Sequence, residues 1–222
     1  VAEILINETL YDGVTKEIGY EDGSRFSVSL KEVQEETLTQ TPIPQNSVFV
    51  VSGATGGITG SILEDLASAT KGTFYLLGRK ALPSRDDHDL NMIKTDRDAY
   101  RVLLQKRLQV QGEKATPVQL EQRINALERA AAMLEVIDAV HKAGANTHYI
   151  TCDVTNHESV QAAVNDIKNS TDHVDYFIHA AGIEKSRKID SKPGDEFEKT
   201  ISVKADGFFY LFKIMENAGL LP

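Results

Sequence analysis

Three glycines, Gly53, Gly56 and Gly57, stand directly after a short apolar run, Val48 to Val51, and directly before a helical pattern of Ile58, Ile62, Leu63 and Leu66. Strand, glycine turn and helix in that order make a place for a phosphate. Glycine lets backbone approach a ligand closely, and the free N–H groups and dipole of a helix start favour an anion. Arg79 follows 22 residues beyond Gly57, after a second apolar run, with Lys80 beside it. A carboxylate at that place in a dinucleotide site holds the ribose 2′-hydroxyl of NAD. A guanidinium there suits a 2′-phosphate through bidentate charge-assisted bonds, which predicts NADP. Asp153 follows a third run and is placed to accept from an adenine amino group, with Val154 against the ring; the plainer reading is a helix-capping or loop Asp. Ala180, Ala181 and Gly182 follow a fourth run and are small enough for a nicotinamide ribose to lie close. His179 has no acidic partner nearby in sequence and reads as structural.

These residues fall where ligands bind in a parallel sheet, just past the carboxyl end of each strand. The strands read as Val48–Val51, Thr73–Leu77, Asn146–Ile150 and Val174–Ile178. Helices alternate with them, so the predicted fold is α/β: a Rossmann-like parallel sheet with helices on both faces. After the second strand the chain is longer than one crossover helix needs. Residues 81–91 read as a polar loop, and two helices are written from about 92 to 143. Tyr100, Leu103, Leu104 and Leu108 line one, and Leu120, Ile124, Leu127, Leu134 and Ile137 line the other. Thr116-Pro117-Val118-Gln119 is a helix start and Gly144 a helix end. A helical insertion is therefore expected at about 81–135. Asn156 caps the next helix, and a last one is expected from about 195 to 217. Before residue 47, residues 14–30 read as a β-hairpin turning at Glu21-Asp22-Gly23, Ile4–Ile6 as another strand, and 31–46 as a linker. The domains are then 1–46, β-rich with its linker, and 47–222, the nucleotide-binding domain.

Composition narrows the function. A net charge of −9 argues against a nucleic-acid partner, which would need a basic face. No apolar stretch reaches the length of a membrane span. Cys152 is the single cysteine, so no intrachain disulfide and no zinc cluster is expected, and a reducing, cytoplasmic setting fits. No metal site is expected. No Gly-Lys-Ser/Thr follows the glycines, which excludes a P-loop. The chain opens on Val1 and stops at Pro222, which reads as a piece of something longer.

Ser52-Gly53-Ala54-Thr55-Gly56-Gly57-Ile58, Leu77-Gly78-Arg79, Cys152-Asp153-Val154, His179-Ala180-Ala181-Gly182-Ile183 and Val203-Lys204-Ala205-Asp206-Gly207 together resemble the short-chain dehydrogenase/reductase superfamily. Within it they resemble the ketoreductase domains of type I polyketide synthases. The insertion is similar to that of polyunsaturated fatty acid synthase ketoreductases, and Glu17–Arg25 resembles the end of the structural subdomain that precedes the catalytic one. The resemblance implies NADPH as cofactor, held at Gly53, Thr55, Gly56, Gly57, Ile58, Arg79, Asp153, Val154, Ala180, Ala181 and Gly182. It implies reduction of a β-ketoacyl thioester on an acyl carrier protein, among other synthase domains. In the family a Tyr donates the proton, a Ser holds the carbonyl and a Lys tunes the Tyr; Lys204 sits at that Lys position. A nearby ammonium lowers a phenol's pKa toward working pH.

Three departures stand out. The third glycine of the family's turn is Thr59, with Gly60 as a compensating neighbour. The Leu-Asp-Asp motif of one stereochemical class is absent after Ile183, where Glu184-Lys185-Ser186 stand. The Ser and Tyr positions of the family fall beyond Pro222. A truncated ketoreductase, inactive alone, is the expectation, with an uncovered sheet edge and a homodimer as the hypothesis for it. The competing reading is a non-catalytic structural Rossmann module that scaffolds neighbouring domains, which the retained glycine turn disfavours. A methyltransferase would carry an acid where Arg79 stands.

Overall fold

The computed structural model describes residues 2–30, 42–55, 57–113 and 116–221. The chain forms two units, Val1–Pro42 and Ile43–Pro222. In the first, helix α1 (Ala2–Tyr11) precedes an antiparallel hairpin of β1 (Ile18–Glu21) and β2 (Ser24–Ser27). The hairpin is as expected, and Asp22 and Gly23 carry the positive φ of 48° and 78° that its two-residue turn requires. The strand expected at Ile4–Ile6 is a helical segment instead. Helix brings Glu8 and Asp12 onto Arg25 and places Glu8 where the Tyr20 hydroxyl donates to it. A short apolar run does not separate helix from strand, and here charge pairing with the hairpin decides. The linker expected at 31–46 lies outside the described residues for 31–41.

The second unit is built on four parallel strands: β3 (Val48–Ser52), β4 (Thr73–Gly78), β5 (Asn146–Thr151) and β6 (Tyr176–His179), in the spatial order β5-β4-β3-β6. β3 is central, pairs with β4 on one side and β6 on the other, and is buried along its whole length. Its side chains alternate between two cores. Val48 and Val50 join Tyr75 and Leu77 under α6 (His157–Lys168) and α8 (Gly207–Asn217), through Val164, Ile167, Leu211 and Met215. Phe49 and Val51 join Phe74 and Leu76 under α2 (Gly57–Thr70) and α5 (Pro117–Lys142), through Leu63, Ala67, Ile137 and Val140. Phe49 stacks on Phe74 at 4.5 Å between ring centroids. Helices thus cover both faces, as the α/β pattern predicted.

Three helices, not two, follow β4: α3 (His88–Thr95), α4 (Arg97–Val110) and α5. Two aspartates account for the extra helix. Asp87 accepts from the amides of Asp89 and Leu90 and starts α3 inside the expected loop. Asp96 closes α3 with its own amide on the Met92 carbonyl and caps α4 by accepting from Ala99. The start of α5 is the predicted capping box, with Gln119 N–H donating to Thr116 Oγ1 and Thr116 N–H to Gln119 Oε1. Gly144, at φ +87°, ends it. The expected insertion boundary near 135 falls inside this helix. The first half of α5 packs a separate core of Ile93, Tyr100, Leu104, Leu108, Leu120 and Ile124, while its second half is the crossover helix over the sheet.

The last predicted helix is interrupted. α7 (Gly194–Ile201) passes through a π turn, Ser202–Asp206, into α8. No helix among the described residues is long and apolar enough to cross a membrane.

Ile124 is fully buried in the core of the insertion. Ile124→Ala is expected to lower the unfolding free energy by about 2–4 kcal/mol, read by chemical denaturation followed by circular dichroism.

Candidate functional site

The carboxyl ends of the four parallel strands open onto one cavity of about 420 Å³, within the range of small-molecule sites. Gly53 forms its floor. Its φ is +76°, and a Cβ placed on it would stand 2.5 Å from the backbone of Ala180 and Ala181. The glycine is required because the turn after β3 runs against the turn after β6. That is a closer constraint than the ligand approach that the sequence suggested. Ala54 and Thr55 follow on the cavity wall. Gly57 begins α2, with open space where a Cβ would project, and Ile58 is exposed in the first turn with its side chain outside the lining. What these two offer a ligand is backbone N–H at a helix start that has no acidic residue in its first turn. Gly56 lies outside the described residues. Gly60 faces Val136 of α5, where a Cβ would stand 3.1 Å from Cγ2, so it spaces helix from helix and does not replace a glycine against β3.

Arg79 and Lys80 line the cavity past β4. Their loop is held by a residue that periodicity alone gave no reason to single out. The hydroxyl end of Tyr149 of β5 occupies the place a Cβ on Gly78 would take, and that hydroxyl donates to the Lys80 carbonyl. Burial raises the Tyr149 pKa, so the phenol stays a donor.

Asp153 is on the wall past β5, and its Oδ1 accepts from the amide and hydroxyl of Thr155. Oδ1 thus takes the loop role, and Oδ2 has no hydrogen-bond partner among the described residues. Burial pulls its pKa up, but the two Thr155 bonds and the positive field of Arg79 outweigh this and hold it below the usual value. Val154 is buried against Gly207 of α8. Cys152 also lines the cavity, and burial pushes its thiol up to about 11, so it is no nucleophile at neutral pH.

Ala180, Ala181 and Gly182 complete the wall past β6. Lys204 sits in the π turn, and its Cε would be 3.3 Å from a Cβ on Gly182. The lysine stem thus crosses the one residue of that wall that has no side chain. His179 connects the parts. Its Nε2 is 3.0 Å from the Val203 carbonyl, which can only accept, so Nε2 carries the hydrogen and Nδ1 accepts from Ser52 Oγ at 2.8 Å. One imidazole ties the end of β3 to the residue before Lys204, a structural role as the sequence suggested. Burial holds its pKa below the ordinary value despite the Val203 bond.

The cavity thus offers a glycine turn, cations past β4 and small residues past β6, with the start of α2 following the turn outside the lining, which fits a dinucleotide laid across the sheet. A second hollow of about 820 Å³ lies between the insertion and residues 80–83 and has no strand end in its lining.

The KR domain family matches residues 47–220. The chain belongs to that family. This ketoreductase-type domain is 28% identical over 187 residues to a polyunsaturated fatty acid synthase protein of Thraustochytrium sp., a match covering 82% of this chain and 7% of that protein. It shares its fold with a ketoreductase domain from the bacillaene assembly line, at 20% identity and a TM-score of 0.59, over 95% of this chain and 39% of that one. It also shares its fold with an NAD+-bound xylitol dehydrogenase, at 17% identity and a TM-score of 0.52, over 78% of this chain and 48% of that one. The chain spans less than a tenth of the synthase protein and under half of these two structures.

Gly53→Ala combines a left-handed φ with a backbone clash, and is expected to cost upward of about 3 kcal/mol of stability in thermal or chemical denaturation. His179 gives a pH signature. Its folded pKa lies below the unfolded value, so its contribution is whole above about pH 6.5 and falls as the pH drops through that value toward the folded one. Between pH 7 and 5 the wild type is expected to lose more stability than His179→Gln, measured by denaturation at each pH.

Proposed function

We propose that this domain is the cofactor-binding part of an NADPH-dependent β-ketoacyl-thioester reductase, working on chains carried by an acyl carrier protein within a larger, cytoplasmic synthase. The observation that carries the reading is Arg79. It stands at the end of β4, where an NAD site would have a carboxylate, and it lines the cavity without an ion pair among the described residues. Each hydrogen bond from such a group to a phosphate contributes roughly 1.5–3 kcal/mol, enough to favour NADPH over NADH about tenfold or more.

When bound, the cofactor supplies a hydride. The chain's own groups do the rest. Ala180, Ala181 and Gly182 leave room for the nicotinamide ribose. Asp153, ionised and anchored by Thr155, is an acceptor for the adenine amino group. Lys204 is not itself in the cavity lining, but its stem lies over Gly182, and in this reading its charge favours an ionised phenol there. Tyr149, the one tyrosine that lines the cavity among the described residues, is bound to Lys80 on β5, at the opposite edge of the sheet from β6. It does not serve as the proton donor beside Lys204. In this reading the proton donor and the serine that holds the carbonyl are supplied by other residues, and residues 1–222 alone are inactive. The same gap favours a second reading, in which this segment acts as a scaffold for neighbouring synthase domains. β6 is an edge strand, and a second copy pairing along it would make the homodimer.

Titration with NADPH and with NADH, followed by nucleotide fluorescence, tests this. Tighter NADPH binding that falls about tenfold in Arg79→Ala, with NADH little changed, is expected; equal affinity for both nucleotides refutes the NADPH reading.

A further inference from the structure

The geometry points to Arg129 as a second guanidinium for the 2′-phosphate of NADPH, delivered by the helical insertion. This rests on the NADPH reading of the same cavity and adds to it a residue that lies outside every strand end and glycine turn.

The first observation is charge pairing. The chain has nine arginines. Seven are held by carboxylates: Arg25 by Glu8 and Asp12, Arg85 by Asp138, Arg97 by Glu121 and Glu128, Arg101 by Glu121, Arg107 by Asp89, Arg123 by Glu113 and Arg187 by Glu196. The two without such a partner among the described residues are Arg79 and Arg129, and both line the same cavity. In a chain of net charge −9, carboxylates are in excess, so a guanidinium left without one is the exception. Two exceptions meeting in one cavity, from segments fifty residues apart, mark a place kept for an anion.

The second observation is the helix face. Ala126, Arg129, Ala130 and Met133 of α5 line the cavity, at spacings of three and four residues that put them on one side of the helix. The alanines on either side of Arg129 keep that side low, which leaves its long side chain room against the cavity. Met133 is buried in the sheet core and fixes the helix there.

The third is the sign of the lining. Arg79, Lys80 and Arg129 are its basic residues and Asp153 is its one acidic residue. The Asp153 carboxylate is engaged by Thr155. A dianionic phosphomonoester balances this set, and guanidinium groups suit it through charge-assisted, bidentate hydrogen bonds. A ribose 2′-hydroxyl has no charge to offer them.

The test is fluorescence titration of the full chain with NADPH and NADH, on wild type, Arg79→Gln, Arg129→Gln, Arg129→Lys and Arg123→Gln, with circular dichroism to confirm the fold. Arg129 is exposed on a helix surface, so its substitution leaves folding intact. Arg129→Gln is expected to weaken NADPH roughly tenfold, with NADH within about twofold, and Arg129→Lys to recover part of the loss. Arg123→Gln, on the same helix but already paired, is expected to change neither. An unchanged NADPH-to-NADH ratio in Arg129→Gln, with the ratio lost in Arg79→Gln, overturns the assignment of Arg129 and leaves the NADPH reading standing. Equal affinity of the wild type for both nucleotides, or binding of neither, overturns both.

Discussion

The turn after β3 and the turn after β6 touch, backbone on backbone, because residue 53 has no side chain. Everything at the candidate site depends on that contact. β3 and β6 are adjacent parallel strands far apart in sequence, and their in-register pairing from Phe49–Tyr176 to Ser52–His179 brings both turns to the same height. The amide of Ala180 then donates to the Ser52 carbonyl, and the ladder ends. A larger residue at 53 would force the turns apart and open the wall that the small residues 180–182 provide. The buried strand supplies the rigidity; the glycine converts it into a floor on which a ligand can lie.

A similar economy holds around His179. A neutral imidazole between Ser52 and the Val203 carbonyl joins a strand end to a π turn. π turns interrupt regular helix hydrogen bonding and occur often at functional sites. Here the turn carries Lys204 and brings its stem over Gly182. The aromatic rings of Phe177, Phe208 and Phe212 stack in series beside it and hold the start of α8 against β6. The lysine is thus positioned through the His179–Val203 contact and the phenylalanine stack of its helix segment, although its own side chain is exposed.

The insertion is held together differently from the sheet. Its core is a small cluster around Ile124 and Leu108, and its surface is laced with arginine–carboxylate pairs. Exposed pairs of this kind contribute little each, roughly 0–1 kcal/mol. Their larger consequence is selective: by occupying the other arginines they leave Arg79 and Arg129 as the two without a carboxylate partner among the described residues, and both line the cavity beside Lys80. Continuity of α5 from the insertion core into the sheet core makes the insertion part of the cavity wall.

Much of this was legible from residue order. Apolar runs followed by glycine predicted buried strands; Thr116 with Gln119, Asn156 and Gly144 marked helix ends; and the residues after each strand named most of the cavity wall. All of these are local signals, carried by a few neighbouring residues and by backbone preferences that neighbours set. What local signals could not carry was decided in three dimensions. Ile4–Ile6 reads equally as strand or helix, and charge pairing with Arg25 makes it helix. Asp87 and Asp96 are ordinary loop residues until a helix starts beside each. Gly53 reads as a ligand-facing glycine, yet its neighbours are Ala180 and Ala181. Whether an arginine is paired depends on carboxylates far along the chain, so Arg129 looks like any surface residue of α5 until the fold sets it in the same cavity lining as Arg79. Residue order alone set the strand–turn–helix succession and the residue types at each strand end. Folding in three dimensions set the strand order, the contacts across the cavity and which charges remain unpaired, because those depend on long-range packing that periodicity does not encode.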